Sequence, residues 1–239
     1  MGSALAAREF AQETANRMFG GLAPSYDRVV DIFTLYQDRY WKRWMASESG
    51  LARGDVVLDV GCGTLLLEQR LLDRGCRVVG IDLAYEMLSA GKAKGVPNTV
   101  LMVNGDGESL PFPGGSFDAI VSCYVAKYVD LGRFAEEAVR VLKPGGSLTL
   151  YDFIRPTGLP APFLRLYIEG LLGAVAAVLG LTKAKSALTF VNLPKIIDGA
   201  TWNRNIIATM EERGLRTTKL RTLTAGVVAA YQGTKPLRG

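Results

Sequence analysis

Apolar residues recur at helical spacings through the first fifty positions, where Phe10, Met18, Phe19, Leu22, Tyr26, Val30, Phe33, Tyr36, Tyr40, Trp41, Trp44 and Met45 predict amphipathic helices. Pro24 and Ser25 punctuate them. From Asp55 the period shortens. Runs rich in branched residues, VVLDV (56–60), CRVVGID (76–82), TVLMVN (99–104), FDAIVSCY (117–124) and GSLTLYDF (146–153), alternate with helical stretches at 64–74, 84–95 and 130–142. Strands that alternate with helices predict an α/β fold, a mostly parallel sheet with helices on both faces.

Downstream, 159–182 is strongly apolar and helical in pattern, but Arg165 and Glu169 interrupt it, and its longest uncharged piece, 170–182, is too short to span a bilayer. It predicts a covering helix, a greasy wall or membrane-facing lid over a lipophilic ligand, because a connection this long beside a site is rarely idle. A helix at 203–215, stopped by Gly214, and two strand-like runs, RTTKLRTL (216–223) and AGVVAAYQG (225–233), complete the pattern. There is no internal repeat and no low-complexity linker. The pattern predicts one domain over 1–239: an N-terminal helical cap (1–50), a cofactor-binding core (51–155), a helical lid insertion (156–200) and a C-terminal helix with strands (201–239).

Composition narrows the chemistry. The 239 residues, 49% of them hydrophobic, suffice for one large core. A net charge of +5, from 28 basic and 23 acidic residues dispersed along the chain, marks a solvated surface and gives no nucleic-acid footprint. The absence of histidine removes His-based triads and HExxH hydrolases. Cys62, Cys76 and Cys123 lack metal or disulfide spacing, so no metal site is expected and a reducing, cytoplasmic setting fits. At the start of the chain, Arg8 and Glu9 precede any apolar run of signal-peptide length, and Ala6 stands where a myristoylation signal has Ser or Thr.

The chemistry concentrates at strand ends. DVGCGT follows the first strand, and Gly61 and Gly63 permit a tight turn and close ligand approach, with a helix expected to start near Thr64. Asp82, nineteen residues beyond Gly63, ends the second strand, where a carboxylate accepts both hydroxyls of a ribose. A dinucleotide turn has a third glycine under its pyrophosphate, but the next glycine positions carry Leu65 and Leu66, which weakens an NAD reading. A phosphate-free adenosyl cofactor tolerates them better. Asp106 with Gly107, after the third strand, suits an adenine amino group, and Leu83 and Met87 suit apolar contact to the ring.

DVGCGT, GIDLAYEML, GDGESLPFPGGSFDAIVS and EEAVRVLKPGGSLTLYDF, in this order, resemble the successive motifs of class I S-adenosylmethionine-dependent methyltransferases. MFGGLAPSYDRVVDIFTLYQDRYWKRWM, YDFIRP and RTLTAGVVAAYQGTKP resemble the ubiquinone and menaquinone biosynthesis C-methyltransferases, so the likeness runs from about Phe19 to Pro236. It implies a Rossmann-like seven-stranded sheet with an antiparallel last strand, S-adenosylmethionine as cofactor with S-adenosylhomocysteine as product, and methylation of a ring carbon of a polyprenylated quinol precursor. The cofactor set on this reading is Tyr26, Asp59, Gly61, Cys62, Gly63, Asp82, Leu83, Met87, Asp106, Gly107 and Ser122. Tyr26, Tyr128, Asp130 and Asp152 are the candidates for removing a proton, and Lys127, Tyr128 and Arg155 for holding the substrate.

One departure concerns the acceptor. The family usually carries an Arg-Asn pair after the fourth strand, where this chain reads CYVAKYVD and places Lys127 and Tyr128. Methylation of another lipophilic or small acceptor therefore stays open, as does a non-catalytic cofactor-binding protein. The expected partner is a lipophilic small molecule, with peripheral membrane contact through the 159–182 helix and no nucleic acid. The oligomeric state, monomer or homodimer, is left open.

Overall fold

The computed structural model describes residues 19–95, 97, 99–154, 170 and 202–237. The predicted lid at 156–200, Arg155 and the apolar positions before Phe19 lie outside the described residues. After a short turn of 3-10 helix at Gly20–Leu22 come α1 (Tyr26–Phe33) and α2 (Gln37–Glu48). The sheet units follow in the order β1 (Val56–Val60), α3 (Glu68–Asp73), β2 (Arg77–Asp82), α4 (Tyr85–Ala93), β3 (Leu101–Asn104), β4 (Phe117–Cys123), α5 (Leu131–Val141) and β5 (Leu142–Phe153). Then come α6 (Trp202–Glu212), β6 (Arg216–Leu223) and β7 (Val228–Thr234).

These strands form one seven-stranded sheet in the order β3-β2-β1-β4-β5-β7-β6. The first five run parallel, and β7 lies antiparallel to both β5 and β6. The chain order reverses between β1 and β4, which opens a crevice beyond their carboxyl ends.

Alternation along the strands splits the core in two. Leu58, Val60, Ile120, Leu148 and Leu150 face α5 and α6, where they meet Phe134, Ala138, Trp202, Ile206 and Met210. Val57, Val121, Tyr151 and Phe153 face the other way, onto Trp41, Trp44 and Met45 of α2 and Leu71 of α3. Central strands covered on both faces must be apolar almost throughout, as VVLDV and FDAIVSC are. Asp59 is an exception on the α2 side, and its surroundings belong to the site.

Three local expectations are corrected. No helix starts at Thr64: Leu65 adopts φ +64°, which an α-helix cannot include, and α3 begins only at Glu68. β5 begins at Leu142 instead of Gly146, because its first residues run along the start of β4 before the register shifts between Phe117 and Ala119. In α2 the pattern is partly inverted. Tyr36 and Tyr40 are more than half exposed, whereas Asp38 and Lys42 are buried with Trp41 and Met45.

Candidate functional site

The carboxyl ends of β1, β2, β4 and β5 gather most of the singled-out polar residues. In the β1 turn, a Cβ on Gly61 would overlap the Cγ2 of Val125, and one on Gly63 would stand 3.3 Å from the Cε of Met87. Glycine is therefore required at 61 by space as well as by its φ of +73°. Cys62 is buried against Leu65 and Leu88 and serves packing.

Leu65 explains the missing third glycine. The backbone keeps the left-handed conformation a glycine would favour, and the leucine side chain, 3% exposed, fills space opposite Gly91 in α4. A Cβ on Gly91 would lie 2.8 Å from both Cγ and Cδ1 of Leu65. The residue without a side chain at this contact is Gly91 in the helix, which makes the room that Leu65 fills.

Asp82 closes the turn from the next strand. Its Oδ2 accepts from the Gly63 N–H at 2.7 Å and its Oδ1 from the Ala84 N–H at 2.8 Å. Burial raises the carboxyl to about 6, against the pull of those two N–H donors. Each oxygen keeps a lone pair for a further donor. Leu83 is half-buried beside it, and its carbonyl and that of Asp82 accept from the Asn104 side-chain amide at 3.0 and 2.9 Å. Met87, 4% exposed, packs on Ala23 and Ala84, with Phe19 and Tyr26 alongside.

Asp106 folds its own loop: Oδ1 accepts from the Glu108 N–H at 2.9 Å, and the residue bridges to Ser109. Gly107 lets that loop approach β1, since a Cβ there would stand 2.8 Å from a methyl of Val60. Ser122 is buried, and its hydroxyl donates to the Val60 carbonyl at 2.8 Å, tying β4 to β1.

On the acceptor side, Phe19 meets Tyr26 edge-on at 6.4 Å and Tyr128 at 5.9 Å. Burial holds the Tyr26 hydroxyl well above its ordinary range, Asp38 adds the next push, and Tyr128 and Asp82 follow. Lys127 and Asp152 form an ion pair of 2.7 Å with side chains only 2% and 0% exposed. Burial lowers the Lys127 ammonium against the pull of Asp152, and it raises Asp152 against the pull of Lys127. The ammonium also donates to the Tyr124 carbonyl at 2.7 Å and lies 4.5 Å from the centroid of the Tyr128 ring. Asp130 stands apart: it caps α5 by accepting from the Arg133 N–H at 3.0 Å and is exposed.

Sequence reasoning missed three groups. Asp27, next to Tyr26, accepts hydrogen bonds from the Thr64 hydroxyl and the Lys94 ammonium, which ties α1 to the glycine turn and to the end of α4. Asp38 accepts from Lys42 and from the hydroxyl of Tyr124, a residue with φ +64° at the end of β4. Glu68 lies fully buried against Asp59. As two carboxylates they would leave Asp59 Oδ1 and both Glu68 oxygens without partners. Burial, then Glu68, raises Asp59 well above its usual range, and burial raises Glu68 to about 7. Asp59 thus faces a second buried carboxyl within the site wall. Among described residues no group of three His, Cys, Asp or Glu side chains is arranged to hold a metal, and no helix is long and apolar enough to cross a membrane.

The arrangement suits an adenosyl cofactor. A glycine cradle that a Cβ would fill, a buried strand-end carboxylate with free lone pairs, and an aromatic rim accommodate an uncharged ribose and adenine. The profile of the ubiE/COQ5 methyltransferase family matches residues 8–235. A demethylmenaquinone methyltransferase of Mycobacterium sp. (strain JLS) is 34% identical over 222 residues, 92% of this chain and 94% of that protein. One from Tropheryma whipplei (strain Twist) is 33% identical over 227 residues, 93% and 91% of the two chains. A SAM-dependent methyltransferase from Aquifex aeolicus shares the fold, with a TM-score of 0.57 at 19% identity over 81% of this chain and 89% of its own. So does geranyl diphosphate C-methyltransferase from Streptomyces coelicolor A3(2), solved with Mg2+, geranyl diphosphate and S-adenosyl-L-homocysteine, with a TM-score of 0.60 at 16% identity over 83% and 80%.

Proposed function

Because the chain belongs to the ubiE/COQ5 methyltransferase family, we propose that it methylates a ring carbon of a demethylmenaquinone-like polyprenylated quinol, with S-adenosylmethionine as donor. The observation that carries this reading is the 34% identity to a demethylmenaquinone methyltransferase over 92% of the chain, joined to the adenosyl-compatible turn at Gly61, Gly63 and Asp82. When bound, S-adenosylmethionine supplies a methyl group on a sulfonium, already activated for transfer to a carbon nucleophile. The chain's task is alignment, exclusion of water and removal of one acceptor proton.

Asp82 accepts the ribose hydroxyls, and Gly61 and Gly63 clear the space beside them. Met87 and Leu83 give the adenine an apolar wall, and Asp106 fixes the loop that closes over its edge. Phe19, Tyr26 and Tyr128 form an aromatic rim suited to a flat naphthalene ring. In this reading Lys127, neutralised by Asp152, shapes the acceptor pocket in place of the family's Arg-Asn pair, and the 159–182 segment gives the prenyl tail its greasy cover, the protein lying in the cytoplasm against a membrane.

The test is genetic and chemical together. Cells lacking the gene are expected to accumulate a demethylated naphthoquinone, and the wild-type gene to convert it. Accumulation of an unrelated lipid would assign another acceptor.

A further inference from the structure

Asp38 and Lys42 occupy the face of α2 that apolar residues normally take. Asp38 Oδ1 accepts from the Lys42 ammonium at 2.5 Å and from the Tyr124 hydroxyl at 2.7 Å, and its Oδ2 accepts from Lys42 at 2.6 Å. Their side chains are 2% and 10% exposed. Burial alone would lower Lys42, but Asp38, through its charge and its hydrogen bonds, overrules it and raises the ammonium above its ordinary value. A buried ion pair contributes little net stability over an apolar pair of the same volume. Packing alone does not account for it.

Tyr124 is the second observation. It stands at the carboxyl end of β4, beside the crevice where the strand order reverses, with φ +64°. For a residue other than glycine that conformation costs about 1–2 kcal/mol, and such strain persists where the surroundings enforce one geometry. Here the enforcement is visible. The ring stacks on Phe153 at 4.9 Å and 15°, meets Tyr151 edge-on at 5.2 Å, and has Lys42 and Lys127 at 5.4 and 5.5 Å from its centroid. Its backbone N–H donates to the Tyr151 carbonyl at 2.9 Å. The result aims a half-buried phenol at a buried, charge-paired carboxylate. Burial, then Asp38, pushes the Tyr124 hydroxyl well above its ordinary range.

We propose that Tyr124 and Asp38 form the proton-accepting pair for the acceptor hydroxyl, Tyr124 as the catalytic residue that touches it and Asp38 as the positioning residue that receives the relayed proton. This rests on the reading of the acceptor as a quinol. The acceptor O–H bond breaks and its proton passes to Tyr124 Oη, while the phenolic proton of Tyr124 passes to Asp38 Oδ1, which becomes neutral. The acceptor is left as a phenolate whose electron pair moves toward the ring carbon, which forms the new bond to methyl as the bond from methyl to sulfur breaks. The ring C–H proton then leaves to water, and Asp38 returns its proton through Tyr124 to the acceptor oxygen. One proton is released overall. Lys42 donates to both Asp38 oxygens, and its charge offsets the buried carboxylate.

The test uses Tyr124→Phe, which keeps the ring and its packing, and Asp38→Asn. Three quantities are read: kcat and KM with a short-chain demethylmenaquinol, affinity for S-adenosylhomocysteine by calorimetry, and the absorbance of bound 4-nitro-1-naphthol, which reports its ionisation. Tyr124→Phe is expected to lower kcat by about 10²–10⁴-fold, to leave KM and S-adenosylhomocysteine affinity unchanged, and to shift the bound naphthol toward its neutral form. A ring-fluorinated, more acidic quinol is expected to restore most of the lost rate in both variants, which a purely structural defect would not allow. Unchanged kcat in Tyr124→Phe, or an equal loss with both quinols and no change in naphthol ionisation, overturns the assignment. Failure of the wild-type protein to methylate either quinol, while it binds S-adenosylhomocysteine, overturns the quinol reading and the pair with it.

Discussion

Exchanging the leucine of the cofactor turn for the glycine that its backbone conformation favours should destabilise this protein. Leu65→Gly removes a left-handed strain of about 1–2 kcal/mol. It also deletes a side chain that is 3% exposed and packed on Cys62 and Leu88; truncating a buried leucine costs about 2–5 kcal/mol. The loss exceeds the relief, so a net destabilisation of roughly 2 kcal/mol is expected. The partner position makes the reasoning sharper. In the wild type, Gly91→Ala would put a Cβ 2.8 Å from two leucine carbons, an overpacking that costs about 1–3 kcal/mol. In the Leu65→Gly background those two carbons are gone, leaving the Thr64 carbonyl carbon 3.1 Å from that Cβ. The same alanine still gains the helix preference of Ala over Gly, about 0.5–1 kcal/mol. Gly91→Ala should therefore cost much less in the double variant than it does alone. Urea unfolding of the four proteins, read by tryptophan fluorescence, gives the cycle. Additive effects, or a Leu65→Gly variant more stable than wild type, would refute the idea that Gly91 makes the room that Leu65 fills.

Three further outcomes follow from the same geometry. Asp82→Ala should weaken S-adenosylmethionine about 10²-fold by calorimetry, close to 2.8 kcal/mol, with no binding of NAD by either protein; wild-type affinity in the variant would remove Asp82 from the ribose. Glu68 sits at about 7 in the fold against an ordinary 4.5, so its contribution is fully present below 4.5 and is lost as pH rises through about 7. Glu68→Gln should flatten that fall, leaving the variant the more stable protein in mildly alkaline urea titrations; a variant that tracks the wild type at every pH would mean Glu68 does not titrate as described. Lys127→Met leaves Asp152 buried and unpaired, a loss of about 3–5 kcal/mol, and adding Asp152→Asn, which removes the charge and keeps one acceptor oxygen for one of the two backbone N–H groups that bond the carboxylate, those of residues 127 and 153, should recover part of it. Equal stability of the single and double variants would place Lys127 outside that ion pair.

What the sequence revealed was what local pattern encodes. β1, β2 and β4 were legible because strands covered on both faces are continuous apolar runs, and Asp82 because its place at a strand end follows from the period alone. Leu65 is an anomaly in the turn's pattern, but its meaning lies in Gly91, twenty-six residues on and packed against it only in three dimensions. Asp38 and Lys42 read as the solvated side of a helix, since the groups that bury them, Tyr124 and Tyr151, come from strands 86 and 113 residues away. Tyr36 and Tyr40 were counted toward the core for the same reason. Glu68 gave no local signal beyond being an acid two residues from Leu66 in an apolar run. Asp130, proposed as a proton acceptor, sits at an N-terminal helix position where an acid satisfies a backbone N–H, a signal available in its own neighbourhood. The strained φ of Tyr124 has no signature in composition or spacing.

The most direct measurement is transfer of an isotopically labelled methyl group from S-adenosylmethionine to a demethylmenaquinol by the purified protein, with the labelled position read by tandem mass spectrometry. The label should appear on the quinone ring carbon next to the prenyl-bearing carbon, dependent on Asp82. Label on an oxygen of the ring, or cofactor binding with no label on any quinol, would contradict the account.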